Sequence, residues 1–168
     1  MDYTRQAKEV LKIAEKSAKE MAHPYVGTEH LLLGLRKVYT GVAAQVLGAN
    51  GVDEENIQKV MSELISPSGE MTGRKRPEFS PRLEYILEDS KVEAEQFHSE
   101  EIGTEHMLIA LIRDIDCVAT KILTTLGVNL QKIRKYLRLL ALTRRLIRKN
   151  MDRKEEERTG YWISMVRI

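Results

Sequence analysis

A chain of 168 residues holds one compact domain or two small ones, and 42% hydrophobic with 31% charged content suits a soluble helical protein with a modest core. Aromatic residues make up only 5%, which argues against an aromatic binding platform, and a single cysteine, Cys117, excludes an intrachain disulfide and fits a reducing compartment. The net charge of +2 is unevenly spread: residues 134–168 hold eleven Lys/Arg and four Asp/Glu, so the body is acidic and only the tail suits nucleic acid or another acidic surface.

Met1 is followed by polar sequence with no signal-peptide pattern, and no apolar run approaches the roughly 18–20 residues of a membrane span. A cytoplasmic protein without membrane contact is expected. Thr4 reads as the N-cap of a first helix, in which Ala7, Val10, Leu11, Ala14, Ala18 and Met21 recur at three- and four-residue steps. His23-Pro24 is expected to end it, because the residue before proline is pushed out of the helical region. Thr28 reads as the cap of a second helix with Glu29 in its first turn, where a carboxylate meets the positive end of the helix dipole. Leu31, Leu32, Leu33 and Leu35 make that helix apolar nearly all round, so it is predicted to be buried. A short third helix follows from Gly41 to a C-cap at Gly51, and Asp53 reads as the cap of a fourth carrying Ile57, Val60, Met61 and Leu64.

Residues 66–78 are rich in Gly, Pro, Ser and charge with no apolar period, which predicts a linker. Ser80-Pro81 is a strong helix start, and Leu83, Ile86, Leu87, Ser90, Ala94 and Phe97 repeat the first stripe. Helices from about Thr104, Cys117 and Asn129 complete the second set.

The order repeats because the sequence does. Gly27-Thr28-Glu29-His30 recurs as Gly103-Thr104-Glu105-His106, 76 residues later. At that offset Leu32 meets Leu108, Leu47 meets Leu123, Gly51-Val52 meets Gly127-Val128 and Ile57 meets Ile133, without a gap. The expected fold is all-α: two four-helix repeats, about eight helices, packed with pseudo-twofold symmetry because neither repeat buries enough surface alone. Residues 1–65 form the first repeat, 66–78 the linker, 79–137 the second repeat, and 138–168 a basic extension with no counterpart in repeat one.

No catalytic set is apparent, so a free-standing hydrolase is the least supported reading. Gly69 to Lys75 has glycines four apart and lacks the Gly-Lys-Ser/Thr ending of a phosphate-binding loop. His30 and His106 have no second histidine at helical spacing and read as helix-start histidines bonded to backbone; no metal site and no cofactor are expected. Cys117 aligns with Gly41 and reads as a small packing residue at a helix start. What remains is Thr4 with Glu29 and Ser80 with Glu105. The plain reading is that these four only cap helices. The sharper one is that each repeat offers a hydroxyl at an exposed helix N-terminus, suited to an anion, and a glutamate able to take a guanidinium bidentately.

The segments Tyr3-Thr-Arg-Gln-Ala-Lys-Glu-Val-Leu11, His23-Pro-Tyr-Val-Gly-Thr-Glu-His-Leu-Leu-Leu-Gly-Leu35 and Gly41-Val-Ala-Ala44, with their second copies, strongly resemble the N-terminal domain of Clp/Hsp100 chaperone ATPases of the ClpC type. The resemblance covers residues 3–133. It implies a non-catalytic module that recruits MecA-like adaptors and client proteins for an attached ATPase ring and a ClpP-type protease. It further implies phosphoarginine recognition at one site per repeat, with Glu29 and Glu105 binding guanidinium and Thr4 and Ser80 binding phosphate. Pro81 stands where repeat one has Arg5 and removes a backbone donor, so the second phosphate subsite is expected to be the weaker. No ATPase module lies within these residues, so the chain alone is expected to bind without unfolding. The rival reading is a nucleic-acid-binding protein using Arg134 to Arg158.

Overall fold

The computed structural model describes residues 1–65 and 76–166, with side chains through Thr159. Residues 66–75, most of the expected linker and the whole of the rejected Gly69–Lys75 loop, lie outside the described residues. Among the described residues eight helices carry the fold: α1 (Arg5–Glu20), α2 (Thr28–Lys37), α3 (Val42–Ala49), α4 (Glu54–Leu64), α5 (Pro81–Gln96), α6 (Thr104–Arg113), α7 (Val118–Thr125) and α8 (Leu130–Val166). Four two-residue strands, which the sequence pattern does not announce, stand beside them: β1 (Asp2–Tyr3), β2 (Tyr25–Val26), β3 (Glu78–Phe79) and β4 (Glu101–Ile102).

α2 and α6 are the buried centres of their repeats, as their all-round apolar sequence predicts. Leu31, Leu32, Leu33 and Leu35 of α2, and Met107, Leu108, Ile109 and Leu111 of α6, are fully buried, in one apolar core shared by both repeats. α1 runs antiparallel to α2, since the position of a Cβ on Gly34, late in α2, lies 2.6 Å from the carbonyl oxygen of Val10, early in α1. Only glycine permits that backbone approach; repeat two has Ala110 at the equivalent place.

The repeats interlock through both backbone and caps. β1 pairs in parallel with β4 (Asp2 with Glu101, Tyr3 with Ile102), and β2 pairs in parallel with β3 (Tyr25 with Glu78, Val26 with Phe79). Each ladder therefore joins one strand from each repeat. α3 packs against α6 and α7 against α2. Thr28 does not cap its own helix, contrary to the expectation; Gly27 and Gly103 hold the N-cap positions of α2 and α6. The Thr28 hydroxyl instead accepts the Ala119 N–H in the first turn of α7, and the Thr104 hydroxyl accepts the Ala43 N–H in the first turn of α3, each at 3.2 Å. Each signature threonine thus caps a helix of the opposite repeat, satisfying a donor that the helix start leaves without a partner.

α1 also ends earlier than His23-Pro24 suggests. It stops at Glu20, and Ala22 turns the chain with φ 56° while the His23 N–H reaches back to the Ala18 carbonyl. His98 does the same after α5 with φ 55°, and the Ser99 N–H returns to Ala94. Both are left-handed helix endings built without glycine. Cys117 is the buried N-cap residue of α7, as expected from its alignment with Gly41.

Asn129 stands just before α8, its side chain accepting the Lys132 N–H at 3.1 Å, and the helix is anchored by buried Ile133 and Leu137. Its repeat-one counterpart, α4, ends at Leu64, which aligns with Leu140. From there α8 continues to Val166, projecting about 40 Å past the core at 1.5 Å per residue. Through Val166 the basic tail is therefore a continuous helix joined to the second repeat. Among the described residues no helix is long and apolar enough to cross a membrane.

Candidate functional site

Thr4 and Ser80 are N-caps, as their positions before α1 and α5 predict: Thr4 Oγ1 accepts the Ala7 N–H and Ser80 Oγ accepts the Leu83 N–H, each at 3.1 Å. Each hydroxyl keeps its own O–H as a donor, because the cap uses only an oxygen lone pair. The first-turn N–H groups of Arg5 and Gln6 have no place in the helical ladder and add two more donors at the start of α1. At the start of α5, Pro81 has no N–H, which leaves that of Arg82.

The glutamates occupy the first turns of α2 and α6. Their carboxylates fold back over the preceding glycines: a Cβ on Gly27 would lie 2.5 Å from Glu29 Oε1, and one on Gly103 2.4 Å from Glu105 Oε1. Glycine in the signature is thus the space that the carboxylate fills. The Glu29 side chain is 12% exposed and that of Glu105 19%. Burial raises the Glu29 carboxyl above the usual carboxylate range, partly offset by a hydrogen bond from its own backbone N–H. A buried carboxylate in this state gains from any cation that arrives.

The pairing of these residues differs from the one expected along the sequence. Because α1 and α2 are antiparallel, Thr4 and Glu29 sit at opposite ends of the hairpin, about 15–20 Å apart by helical rise. The ladders join the other combinations. The Thr4 N–H donates to the Ile102 carbonyl at 2.9 Å, which sets Thr4 one helical turn from Glu105. The Ser80 N–H donates to the Val26 carbonyl at 2.9 Å, which sets Ser80 beside the turn that carries Glu29. The four residues form two constellations, Thr4 with Glu105 and Ser80 with Glu29, each built from both repeats. Local spacing had suggested partners within one repeat; the two-residue strands that cross them carry no sequence period to reveal it.

The signature histidines are structural in the manner expected. His30 Nδ1 accepts the Gly27 N–H and His106 Nδ1 accepts the Gly103 N–H, both at 2.9 Å. Each glycine N-cap, lacking a side chain, has its N–H tied by the residue three positions on, which is half of a capping box. A backbone N–H can only donate, so Nδ1 must be the bare nitrogen and Nε2 must carry the proton. In repeat one that proton points at His23 Nδ1, 2.8 Å away. Burial and the neighbouring His23 push the His30 pKa down to about 4, and burial lowers that of His23.

His23, Glu29 and His30 bring three metal-capable atoms within 4.8 Å of one another, a cluster not found from sequence because His23 arrives across the β2 turn. Its polarity is wrong for a metal. A neutral histidine bound to a metal through Nε2 carries its proton on Nδ1, which would then face the Gly27 N–H donor to donor. Repeat two replaces His23 with Ser99, whose hydroxyl bonds the Glu101 carbonyl at 2.6 Å.

The sequence matches the family model described as the Clp repeat (R) N-terminal domain, over residues 2–126 and again over 78–155. The second match reaches beyond Ile133, where the resemblance noted from the sequence stops. The chain is 39% identical over 133 residues to the negative regulator of genetic competence ClpC/MecB of Bacillus subtilis (strain 168), covering 79% of this chain and 16% of that protein. It is 35% identical over 133 residues to a probable ATP-dependent Clp protease ATP-binding subunit of Chlamydia pneumoniae, with the same coverage of 79% and 16%. It spans about one sixth of the length of these relatives. Among solved structures, the N-terminal domain of the chaperone ClpD from Arabidopsis thaliana superposes with a TM-score of 0.67 at 23% identity, covering 84% of this chain and 96% of that one. A ClpV N-domain in complex with a VipB peptide superposes with a TM-score of 0.66 at 21% identity, covering 83% and 87%. These last two share the fold.

Proposed function

The chain belongs to the family of Clp repeat N-terminal domains, and from that premise we propose that it recognises substrates and adaptors for a Clp-type protein-unfolding machine, taking arginine-phosphorylated proteins at two inter-repeat sites. In this reading the Glu105 carboxylate receives the guanidinium bidentately. The Thr4 hydroxyl and the N–H groups at the start of α1 receive the phosphoryl group. Glu29 and Ser80 do the same at the other ladder. A ligand with cation and anion on adjacent atoms satisfies both halves at once, and each interaction is a charge-assisted hydrogen bond.

The observation that carries the reading is the double juxtaposition of a half-buried N-cap hydroxyl with a largely buried glutamate across a parallel ladder. Helix capping accounts for Thr4 and Ser80 by themselves. It does not account for Glu29, whose burial raises its pKa with no cation paired to it among the described residues. The missing donor at Pro81 supports a weaker phosphate subsite at Ser80.

MecA-like adaptors belong to the same reading, as do a cytoplasmic setting and the ATPase ring and ClpP-type protease of a longer relative. The module itself binds and does no catalysis. The ClpV N-domain is one domain of this fold with a bound peptide, the VipB peptide. The test is calorimetric titration with phosphoarginine on the unmodified chain and on Glu29→Ala/Glu105→Ala. Saturable binding lost in the double variant is expected; binding of equal strength in the double variant overturns the site assignment.

A further inference from the structure

Among the described residues, α8 does something at repeat two that no element does at repeat one. Past Leu140 it runs alongside the junction of α5 and α6 and encloses a cleft of about 340 Å³. The floor of the cleft is Phe97, stacked on His106 with ring centroids 6.3 Å apart, beside the apolar side chains of Leu137 and Leu140. Its far wall is the basic face of α8: Arg144, Arg145, Arg148 and Lys149. Glu105 and Asp152 are the acidic groups of its lining, and no ion pair within 4.0 Å joins either of them to those four cations.

His106 adds directionality. It is 3% exposed, and its Nδ1 is committed to the Gly103 N–H, so its Nε2 carries a proton. In repeat one the matching proton goes to His23; here Ser99 stands at that position and bonds elsewhere. Among the described residues His106 Nε2 has no hydrogen-bond partner, and it is the polar atom that His106 offers to the cleft it lines. Burial lowers the His106 pKa, the Glu105 and Glu93 carboxylates act against that, and Arg144, which lines the same cleft, lowers it further.

We propose that the cleft between His106 and the basic face of α8 is a binding site for a small phosphomonoester, held by Arg144, Arg148 and the His106 N–H. The charges define the ligand class. Four cations against two carboxylates leave an excess of two positive charges, which a phosphoryl dianion neutralises. Guanidinium forks match phosphoryl oxygens in pairs, whereas a single carboxylate would leave most donors unused. The volume lies at the lower end of small-molecule pockets, and the Phe97–Leu137 floor accepts a small apolar body. The inference does not rest on phosphoarginine recognition. It uses His106 and a segment of α8 that repeat one lacks; Glu105 lines both this cleft and the Thr4 constellation.

The test is a titration of the full 168-residue chain with inorganic phosphate, and separately with an O-phosphoserine peptide, followed by the side-chain ¹⁵N resonances of His106 and of the arginines. Saturable shifts at His106 with Arg144 and Arg148 are expected from either probe if free phosphate chemistry suffices, and from the peptide alone if the attached body is needed. Arg144→Gln/Arg148→Gln should weaken binding tenfold or more, as loss of charged hydrogen bonds requires. These two side chains are exposed, so the variant tests the site without unfolding the core. Phosphoarginine titration of the same variant separates the two proposals, because the Ser80–Glu29 constellation is untouched. Shifts spread along Arg134 to Arg158 with none at His106, or unchanged affinity in the double variant, overturn the proposal.

Discussion

Thr4→Val in a protein already carrying Glu29→Ala should weaken phosphoarginine binding about ten- to a hundredfold, while Ser80→Ala in that background should leave it unchanged. Glu29→Ala leaves one glutamate, Glu105, and the β1–β4 ladder brings Thr4 to it through the Thr4 N–H and the Ile102 carbonyl. Valine keeps the branched shape and removes the hydroxyl. A hydrogen bond to a charged group contributes about 1.5–3 kcal/mol, and 1.4 kcal/mol is a factor of ten in affinity. Ser80 lies at the other ladder, and sites that share no partner add within about 0.5 kcal/mol. In the Glu105→Ala background the roles reverse, with Ser80→Ala costly and Thr4→Val silent. The assay is isothermal calorimetry, with circular dichroism to confirm that each N-cap variant remains folded. If Thr4→Val weakened the site left in Glu105→Ala, Thr4 would be serving Glu29 within its own repeat, and the cross-repeat assignment would be refuted.

The fold supports three further predictions. His30 has a folded pKa of about 4 against 6.5 for the free side chain, so the unfolded chain takes up a proton that the folded one refuses. Its contribution to stability is full above pH 6.5 and is lost as pH falls toward 4, on the order of 3 kcal/mol in all. His30→Gln, which keeps an acceptor for the Gly27 N–H, should flatten denaturation midpoints measured across that window; an unchanged slope would contradict the assignment. Thr28→Val leaves the buried Ala119 N–H without its acceptor and should cost about 1–3 kcal/mol in urea unfolding, while Thr28→Ser, which keeps the oxygen, should cost much less. Gly34→Ala forces a methyl to within 2.6 Å of the Val10 carbonyl and should cost about 1–3 kcal/mol by thermal melting, despite the better helix propensity of alanine; a stabilised variant would mean that α1 and α2 can separate freely.

What the sequence discloses here follows the range of the interaction. Thr4, Ser80 and Asp53 were legible as caps because a cap is made within three residues. The burial of α2 was legible because four leucines around one helix leave no polar face. The strands were not, since two residues have no period and exist only through a partner about 50 or 100 positions away. The same gap explains the misassigned pairing of Thr4 with Glu29. Thr28 misled for a related reason: threonine before an apolar run is a cap signal, and the signal was sound, but the capped helix lies in the other repeat. The end of α1 is not marked in the sequence because the left-handed residue is Ala22 and not a glycine.

These exchanges together make the duplication obligatory in a way that offset alone does not show. A single repeat contains one threonine acceptor and one third helix, but its threonine points at the third helix of the other copy. It contains one glutamate and one N-cap hydroxyl, but they stand at opposite ends of its own α-hairpin. An isolated repeat would therefore leave a helix start uncapped, expose strand edges, and split its candidate site. Covering the second apolar face adds to this, since about sixty residues bury too little surface for a robust core. The two constellations thus form only when the halves are docked, so ligand binding at either should raise the stability of the whole domain and not of one half. The extension of α8 then breaks the symmetry on one side only. It lines a cleft against the face of α6 that carries Glu105 and His106 and, among the described residues, has no counterpart at the Ser80–Glu29 constellation, so one duplicated domain presents two chemically different surfaces.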